Sequence, residues 1–422
     1  MRCEIIGVGT ELLLGQIVNT NAAWIGQRLA DVGWDCLRHT VVGDNEARIG
    51  DAIREALDRA DAVILTGGLG PTQDDVTRES IAAVAGVELV RDPAIEDWLR
   101  DRFVRFRSGH MPAMNLRQAD VPKGARTIDN PRGTAPGIAI EIGGKPVYAV
   151  PGVPREMEHM LEAVILPELA DRAGEGRAIV SRTLRTVGVG ESRIAERLTP
   201  IWEAAASAAS AAGGNVNLAY LAGAGEVRVR LSVAAPDRAT ALAAIAPVEE
   251  AVRAELGDVV YGTDDDSLEG VCAELLKAQG KTLATAESLT GGLLSARITS
   301  ILGASDFFIG GACTYAVEAK TAILGVPPVL LDAAGPVSEA VAAAMAEGAR
   351  EAFGADVGVS TTGVAGPTEH DDEPPGTVWL AVADAAGTVT RRIHAPGDRV
   401  QVRNWSTAVA LDLLRRRLLG IS

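Results

Sequence analysis

The feature that most limits the fold is a rhythm: short apolar runs of strand length alternate with segments whose apolar residues recur at helical spacing. Glu4 to Val8 reads as a strand, and Ala22, Ile25, Leu29 and Val32 follow at helical spacing. Ile49, Ile53 and Leu57, each four apart, lead into the apolar run that begins at Ala62. Strand, helix, strand and helix in this order point to an α/β fold whose parallel sheet is covered on both faces. The rhythm restarts near Leu268. Leu268, Val271, Leu275 and Leu276 give a helix face, TLATAES and FFIGGACTY read as strands, and a long helix is expected from Ser338 toward Phe353. DVGVSTTGVAGP then runs from strand to glycine loop, GTVWLAVAD and GTVTRRIHA read as two strands, and a helix is expected over Val400 to Leu419.

Between these regions, Arg177 to Val259 reads as a small α+β unit. RTLRTVGVGESRIAERL gives a strand, a turn and a helix; strands are expected over Val216 to Leu221 and Glu226 to Ala234, and a helix over Arg238 to Leu256. The acidic run YGTDDDS, Tyr261 to Ser267, is expected to be the linker that follows. A chain of 422 residues suits two or three domains.

Charge narrows the partners. Against 56 Asp and Glu stand 40 Lys and Arg, a net charge of -16 with no long basic run, so no direct nucleic-acid binding is expected. One arginine and a few backbone amides still suffice for a local phosphate pocket. Cys3, Cys36, Cys272 and Cys313 lie far apart and form no C-x-x-C pair, as suits apolar fillers in a reducing compartment. MRCEIIGVGTE is not a secretory signal, and no run approaches the ~20 apolar residues of a membrane helix, so a cytoplasmic chain with no membrane partner is expected.

In the last region, Glu287, Ser288 and Thr290 directly precede Gly291 and Gly292. The arrangement serves either a glycine turn with capping hydroxyls or a serine placed to attack a substrate. A serine nucleophile needs a base. The histidines offer no convincing one, since His39, His110 and His159 lie in earlier regions, His370 in an acidic loop and His394 at a strand end. Lys320, five residues beyond Tyr315, could take the serine proton if burial lowered its pKa, with Tyr315 orienting it or relaying the proton; the plainer alternative is a solvated lysine and a tyrosine at the edge of the core.

TLATAESLTGG, GGACTYAVEAK, SEAVAAAMAEGA, TTGVAGPTEHDDEPPGTVW and PGDR together closely resemble the C-terminal domain of the competence/damage-inducible protein A (CinA) family. Stand-alone relatives of that domain convert nicotinamide mononucleotide to nicotinic acid mononucleotide and ammonia. The resemblance implies that Ser288 is the nucleophile, with Tyr315 and Lys320 beside it and Thr362 and Gly363 at the substrate. It also implies a phosphate contact from Arg399 or Arg403, and no cofactor for the deamidation. The backbone around Thr290, Gly291 and Gly292 would stabilise the oxyanion. Family members usually carry cysteine directly after the serine; this chain has Leu289.

In the first region, Gly67, Gly68 and Gly70 can turn a loop toward an anion, with Asp74 and Asp75 near a helix start; the alternative is an Asp-capped helix after a glycine turn. GVGTELLLGQIVNTN, VGDN, TGGLGPTQDDVT, NPRGTAPG and PGVPREM together resemble the molybdopterin-binding fold in the version that forms the N-terminal half of the same family. There it is associated with metal-dependent hydrolysis of ADP-ribose. The resemblance implies Asp44 and Asp75 as the leading acidic residues, Glu11 and Asp74 as further metal ligands, Glu156 at the pocket and a divalent metal ion. The expected architecture is therefore multidomain α/β: a three-layer α/β/α domain over 1–170, a KH-type α+β connector over 177–260 and a CinA-type domain over 267–422. The expected substrates are nicotinamide mononucleotide and ADP-ribose, and the expected assembly is a homodimer. A molybdopterin-related binding protein and a competence-associated interaction protein are the alternatives.

Overall fold

The computed structural model describes residues 1–106, 111–173, 178–211, 215–223, 225–235, 237–370 and 372–421. Met1–Val180 with Ala234–Leu242 forms one compact unit, and Ser181–Val233 with Ala243–Ser422 the other.

In the first unit, β1 (Arg2–Val8), β2 (Asp35–Val42) and β3 (Ala62–Thr66) are parallel, and β4 (Leu89–Arg91) pairs with β5 (Asp120–Pro122) apart from them. The main sheet is completed by β6 (Arg126–Ile128), β7 (Gly137–Ile142) and β8 (Lys145–Val150), in the order β2-β1-β3-β8-β7-β6. It is mixed, not wholly parallel as the sequence rhythm suggested: β8 runs parallel to β3, but β7 and β6 follow by antiparallel pairing. The Gly143-Gly144 turn between β7 and β8 is too short for the crossover that a parallel pair needs. Alternate residues of β1 and β3 enter opposite layers. Ile5 and Ile64 pack with Ile25 and Leu29 of α1 (Thr20–Asp31), while Ile6, Val63 and Leu65 pack with Ile49 and Ile53 of α2 (Glu46–Arg59) and Ile81 of α3 (Thr77–Ala85). Helix α4 (Pro154–Met160) adds Met157 to the first layer.

The connector sheet joins β9 (Ala178–Val187), β10 (Asn215–Ala222), β11 (Glu226–Ala235) and β12 (Val260–Thr263) in the order β10-β11-β9-β12, with helices α5 (Glu191–Ala211) and α6 (Arg238–Leu256). The expected linker is thus partly a strand, because β12 pairs antiparallel with β9. Its acidic residues are turn acceptors: Asp264 takes the Thr183 amide at 2.9 Å and Asp266 the Thr263 amide at 2.7 Å. The end of the alanine-rich run, 212–214, lies outside the described residues.

The last region begins with α7 (Leu268–Gln279) and holds a five-stranded sheet, β14-β13-β15-β16-β17. Here β13 (Leu283–Glu287), β14 (Phe308–Cys313) and β15 (Val357–Gly363) are parallel, and β16 (Thr377–Asp384) and β17 (Gly387–His394) return antiparallel. Every residue of β13 is buried, as suits a central parallel strand covered on both faces. The faces differ in bulk. Leu283, Val357, Leu380 and Val382 meet α7 and α11 (Arg399–Leu419), whereas Ala284, Ala286, Ala381 and Ala383 lie under α10 (Glu339–Phe353). Small residues let α10 approach so closely that a Cβ added at Gly358 would lie 2.0 Å from the Ala346 carbonyl oxygen. The remaining helices that matter below are α8 (Leu293–Thr299) and α9 (Val317–Leu324). Among the described residues, no helix is long and apolar enough to cross a membrane.

Gly358→Ala must push α10 off the sheet. It is expected to destabilise this region by about 1–3 kcal/mol, read as an earlier unfolding transition in calorimetry; an unchanged transition would refute the close approach.

Candidate functional site

Ser288 directly follows β13, its amide bonded to the Thr361 carbonyl at 2.9 Å. The residue before it organises what comes next. Glu287 is 1% exposed, a costly place for a carboxylate unless hydrogen bonds replace the water it has lost. Its oxygens accept from the amides of Gly292 (3.0 Å), Leu294 (3.0 Å) and Ser295 (2.8 Å) and from the Ser295 hydroxyl (2.6 Å). A negative group thus sits on the unpaired N-H groups at the start of α8, where a helix favours it. The loop between is a turn through Gly291 (φ 58°) and Gly292 (φ 91°), backbone that L side chains rarely adopt.

Lys320 enters from the first turn of α9 and is buried, with 1% of its surface exposed. Its Nζ lies 3.0 Å from Ser288 Oγ and donates to the Thr314 carbonyl at 2.7 Å. Burial disfavours the ammonium and pulls the Lys320 pKa down to about 8, while nearby Cys313 pulls the other way. With one N-H fixed on Thr314, a neutral amine has a lone pair to offer the serine hydroxyl. The arrangement puts a serine hydroxyl within hydrogen-bond reach of a group that can act as a base.

A cavity of 230 Å³ opens beside this pair, lined among others by Ser288, Leu289, Tyr315, Lys320, Thr362, Gly363 and Arg399. Several expected roles are redistributed. Tyr315 is not on Lys320: its hydroxyl accepts from Arg399 Nη2 at 2.7 Å. Arg399 also donates to the Gly366 carbonyl at 3.1 Å and lines the cavity. Arg403 instead grips the catalytic loop from behind, donating to the carbonyls of Leu289 (3.1 Å) and Thr290 (2.7 Å). Thr290 is buried with its hydroxyl on Thr361 at 2.7 Å, and Thr362 donates to the Pro336 carbonyl at 2.7 Å.

The expected oxyanion donors also change. Gly291 N donates to the Ser288 carbonyl at 3.1 Å and Gly292 N to Glu287, so both are occupied. The Leu289 and Thr290 amides have no acceptor among the described residues, and of these two residues Leu289 lines the cavity. Sequence reasoning gave no role to Glu287 or to Thr368, Glu369 and His370, which also line the cavity. The charge of Glu287 at the end of an otherwise uncharged strand was the available signal for the first, and the motif TTGVAGPTEHDDEPPGTVW for the others. His110, set aside as a base, lies outside the described residues.

In the first unit, a 470 Å³ cavity beyond the ends of β1 and β3 gathers every acidic and glycine residue expected there: Glu11, Asp44, Gly67, Gly68, Gly70, Asp74, Asp75 and Glu156. Arg132 and Arg155 share it, cations that lie within the NPRGTAPG and PGVPREM motifs but received no role from them. Asp75 is engaged by its own loop: Oδ1 accepts the Gly70 amide at 2.7 Å, and Oδ2 accepts the Thr72 amide at 2.8 Å and the Thr72 hydroxyl. From the other side buried Arg78 donates to the Leu69 and Gly70 carbonyls at 2.7 and 2.6 Å. Asp75 therefore shapes the glycine loop rather than standing free as a ligand. Asp44 accepts one bond, from the Thr10 amide at 2.8 Å, and Glu156 accepts from Asn130 at 2.8 Å. No group of three or more His, Cys, Asp or Glu among the described residues forms a ready metal cage.

These features define a multidomain α/β protein that carries a half-buried serine against a buried lysine in its last domain and an acidic cavity in its first. Residues 4–171 match the Probable molybdopterin binding domain, 181–262 the Damage-inducible protein CinA KH domain and 265–418 the CinA C-terminal domain. A CinA-like protein of Frankia casuarinae is 52% identical over 425 residues, covering 100% of this chain and 97% of its own. A Moorella thermoacetica protein named as competence-damage inducible is 46% identical over 419 residues, covering 99% of each chain. The crystal structure of the protein CinA from Thermoplasma acidophilum, titled as of unknown function, is 40% identical over 40% of this chain and 97% of that one, with a TM-score of 0.38. The chain belongs to the competence/damage-inducible protein CinA family.

Asp75→Asn puts an amide N-H where backbone donors point. The expected outcome is a loss of about 1–3 kcal/mol from the N-terminal unit with the C-terminal transition unmoved; calorimetry of the full chain checks both, and an unaffected first transition would return Asp75 to the pool of free ligands.

Proposed function

We propose that the C-terminal domain is a nicotinamide mononucleotide deamidase. The observation that carries this reading is the 3.0 Å contact between Ser288 Oγ and the buried Lys320 amine. Neutral Lys320 takes the serine proton as Oγ attacks the carboxamide carbon. The Leu289 amide, without an acceptor among the described residues and on a residue that lines the cavity, is the backbone donor for the oxyanion. The carbon–nitrogen bond breaks as Lys320 returns the proton, and ammonia leaves. Water, deprotonated by the same amine, attacks the serine ester, and nicotinic acid mononucleotide departs with Ser288 reprotonated. Arg399 is the phosphate contact, since its guanidinium lines the cavity whereas that of Arg403 is committed to loop carbonyls.

For the first domain our reading is hydrolysis of ADP-ribose to AMP and ribose 5-phosphate, favoured by cations and carboxylates meeting in one cavity. A hard divalent cation at this cavity would keep most of its waters and take one or two carboxylates together with substrate phosphates. Asp44, with Glu11 or Asp74, would hold it, and its chemistry would be to neutralise the pyrophosphate oxygens. Arg132 and Arg155 bind and orient the diphosphate.

The base must be neutral to act, and burial places its titration near 8, so ammonia release should climb about tenfold per pH unit below that value and level off above it. Ser288→Ala should bind substrate and release no ammonia. Lys320→Arg should be nearly inactive at every pH, since arginine keeps its proton. Ammonia release by either variant at the native rate would remove that residue from its role.

AMP formation from ADP-ribose should require added divalent metal, stop in chelator and fall at least about tenfold in Asp44→Asn, with deamidation unchanged. Tight pterin binding without cleavage across a metal screen would overturn this reading in favour of a binding domain.

A further inference from the structure

We infer that the KH-like connector braces the serine loop of the C-terminal domain, with Glu226 as the positioning residue. The inference deepens the deamidase reading, because Ser288 is the group being positioned. Two helices hold the loop: α8 through the Glu287 carboxylate on its first amides, and α11 through Arg403 on the Leu289 and Thr290 carbonyls. The start of β11 touches both. On the α8 side, Arg297 Nη2 binds Glu226 at 3.1 Å and Glu269 at 2.7 Å, and Arg297 Nη1 binds Thr407 of α11 at 3.2 Å. Glu226 is held in turn by the Tyr261 hydroxyl of β12 at 2.5 Å. On the α11 side, the backbone at Gly225 lies so close that an added Cβ would stand 3.0 Å from Ala408 Cβ.

Arg297 and Glu226 are each about three-quarters buried, with side chains 22% and 24% exposed. Their attraction is therefore less screened than that of a surface pair. The carboxylate ties α8, α11 and two connector strands into one network, and α8 has only seven residues. So short a helix has little stability of its own and takes its position from what it packs against. Removing Glu226 leaves Arg297 on Glu269 and Thr407, cuts its tie to the connector strands and loosens the far end of the helix whose near end carries the Glu287 staple. A nucleophile displaced by a fraction of an ångström loses rate and not binding, because cavity residues such as Thr362 and Gly363 lie on β15, outside the network.

The test uses the full chain and two readouts. Glu226→Ala should speed amide hydrogen exchange across residues 288–295 and lower kcat for ammonia release about 10-fold with KM within about 2-fold. Glu226→Gln, which keeps the shape and one acceptor, should recover part of both. Glu226→Ala combined with Arg297→Ala should cost little more than Arg297→Ala alone, as for two members of one network. Unchanged exchange at 288–295 in Glu226→Ala overturns the brace, as does a loss carried entirely in KM. Faster exchange in a chain whose native form releases no ammonia from nicotinamide mononucleotide leaves the brace standing and removes the deamidase.

Discussion

Almost everything about the C-terminal site depends on one buried carboxylate. Glu287 ends a strand that has no other charge, at a depth where an unpaired carboxylate would be untenable. Four donors make it tolerable, and three of them are backbone N-H groups at the start of α8. The strand end and the helix start are thereby fixed to one another, and the residues between them have little choice of path. Ser288 is the first of these residues, so its position follows from the burial of its neighbour.

A second constraint is the burial of Lys320. An exposed lysine would remain protonated at neutral pH and could only donate to the serine. Enclosed between β14 and α9, it gives up much of its preference for charge, and its amine becomes a base near 8. The same enclosure decides the roles of the two arginines. Arg403 donates to the Leu289 and Thr290 carbonyls of the loop; Arg399 and Tyr315, hydrogen-bonded to one another, both line the cavity. The family resemblance brought both arginines forward, and the structure gives them different partners.

In the first domain the motifs were legible because they lie just beyond strand ends, where a layered α/β fold must collect them. The single cavity containing Glu11, Asp44, Asp75 and Glu156 follows from that topology. Their individual states did not follow. Asp75 is turned back onto Gly70 and Thr72 because a tight glycine loop exposes amides that a nearby carboxylate can satisfy, and Arg132 and Arg155 arrive from segments far away in sequence. The same limit explains the connector: YGTDDDS has a linker's composition, yet Val260–Thr263 finds a partner strand in β9.

Sequence by itself determined the layered class, through periodicities of two and 3.6 that follow from backbone geometry alone, and it placed Ser288, Lys320 and the acidic motifs at the ends of elements. Whether sheets stay parallel, which amides remain free, which arginine lines the cavity and how far a lysine's pKa falls are differences between buried and exposed environments. Those environments are made by residues distant in the chain, as Thr314 and Lys320 are from Ser288 and as Glu226 is from Arg297. Only the tertiary structure decided them, because desolvation and hydrogen bonding act through space and not along the sequence.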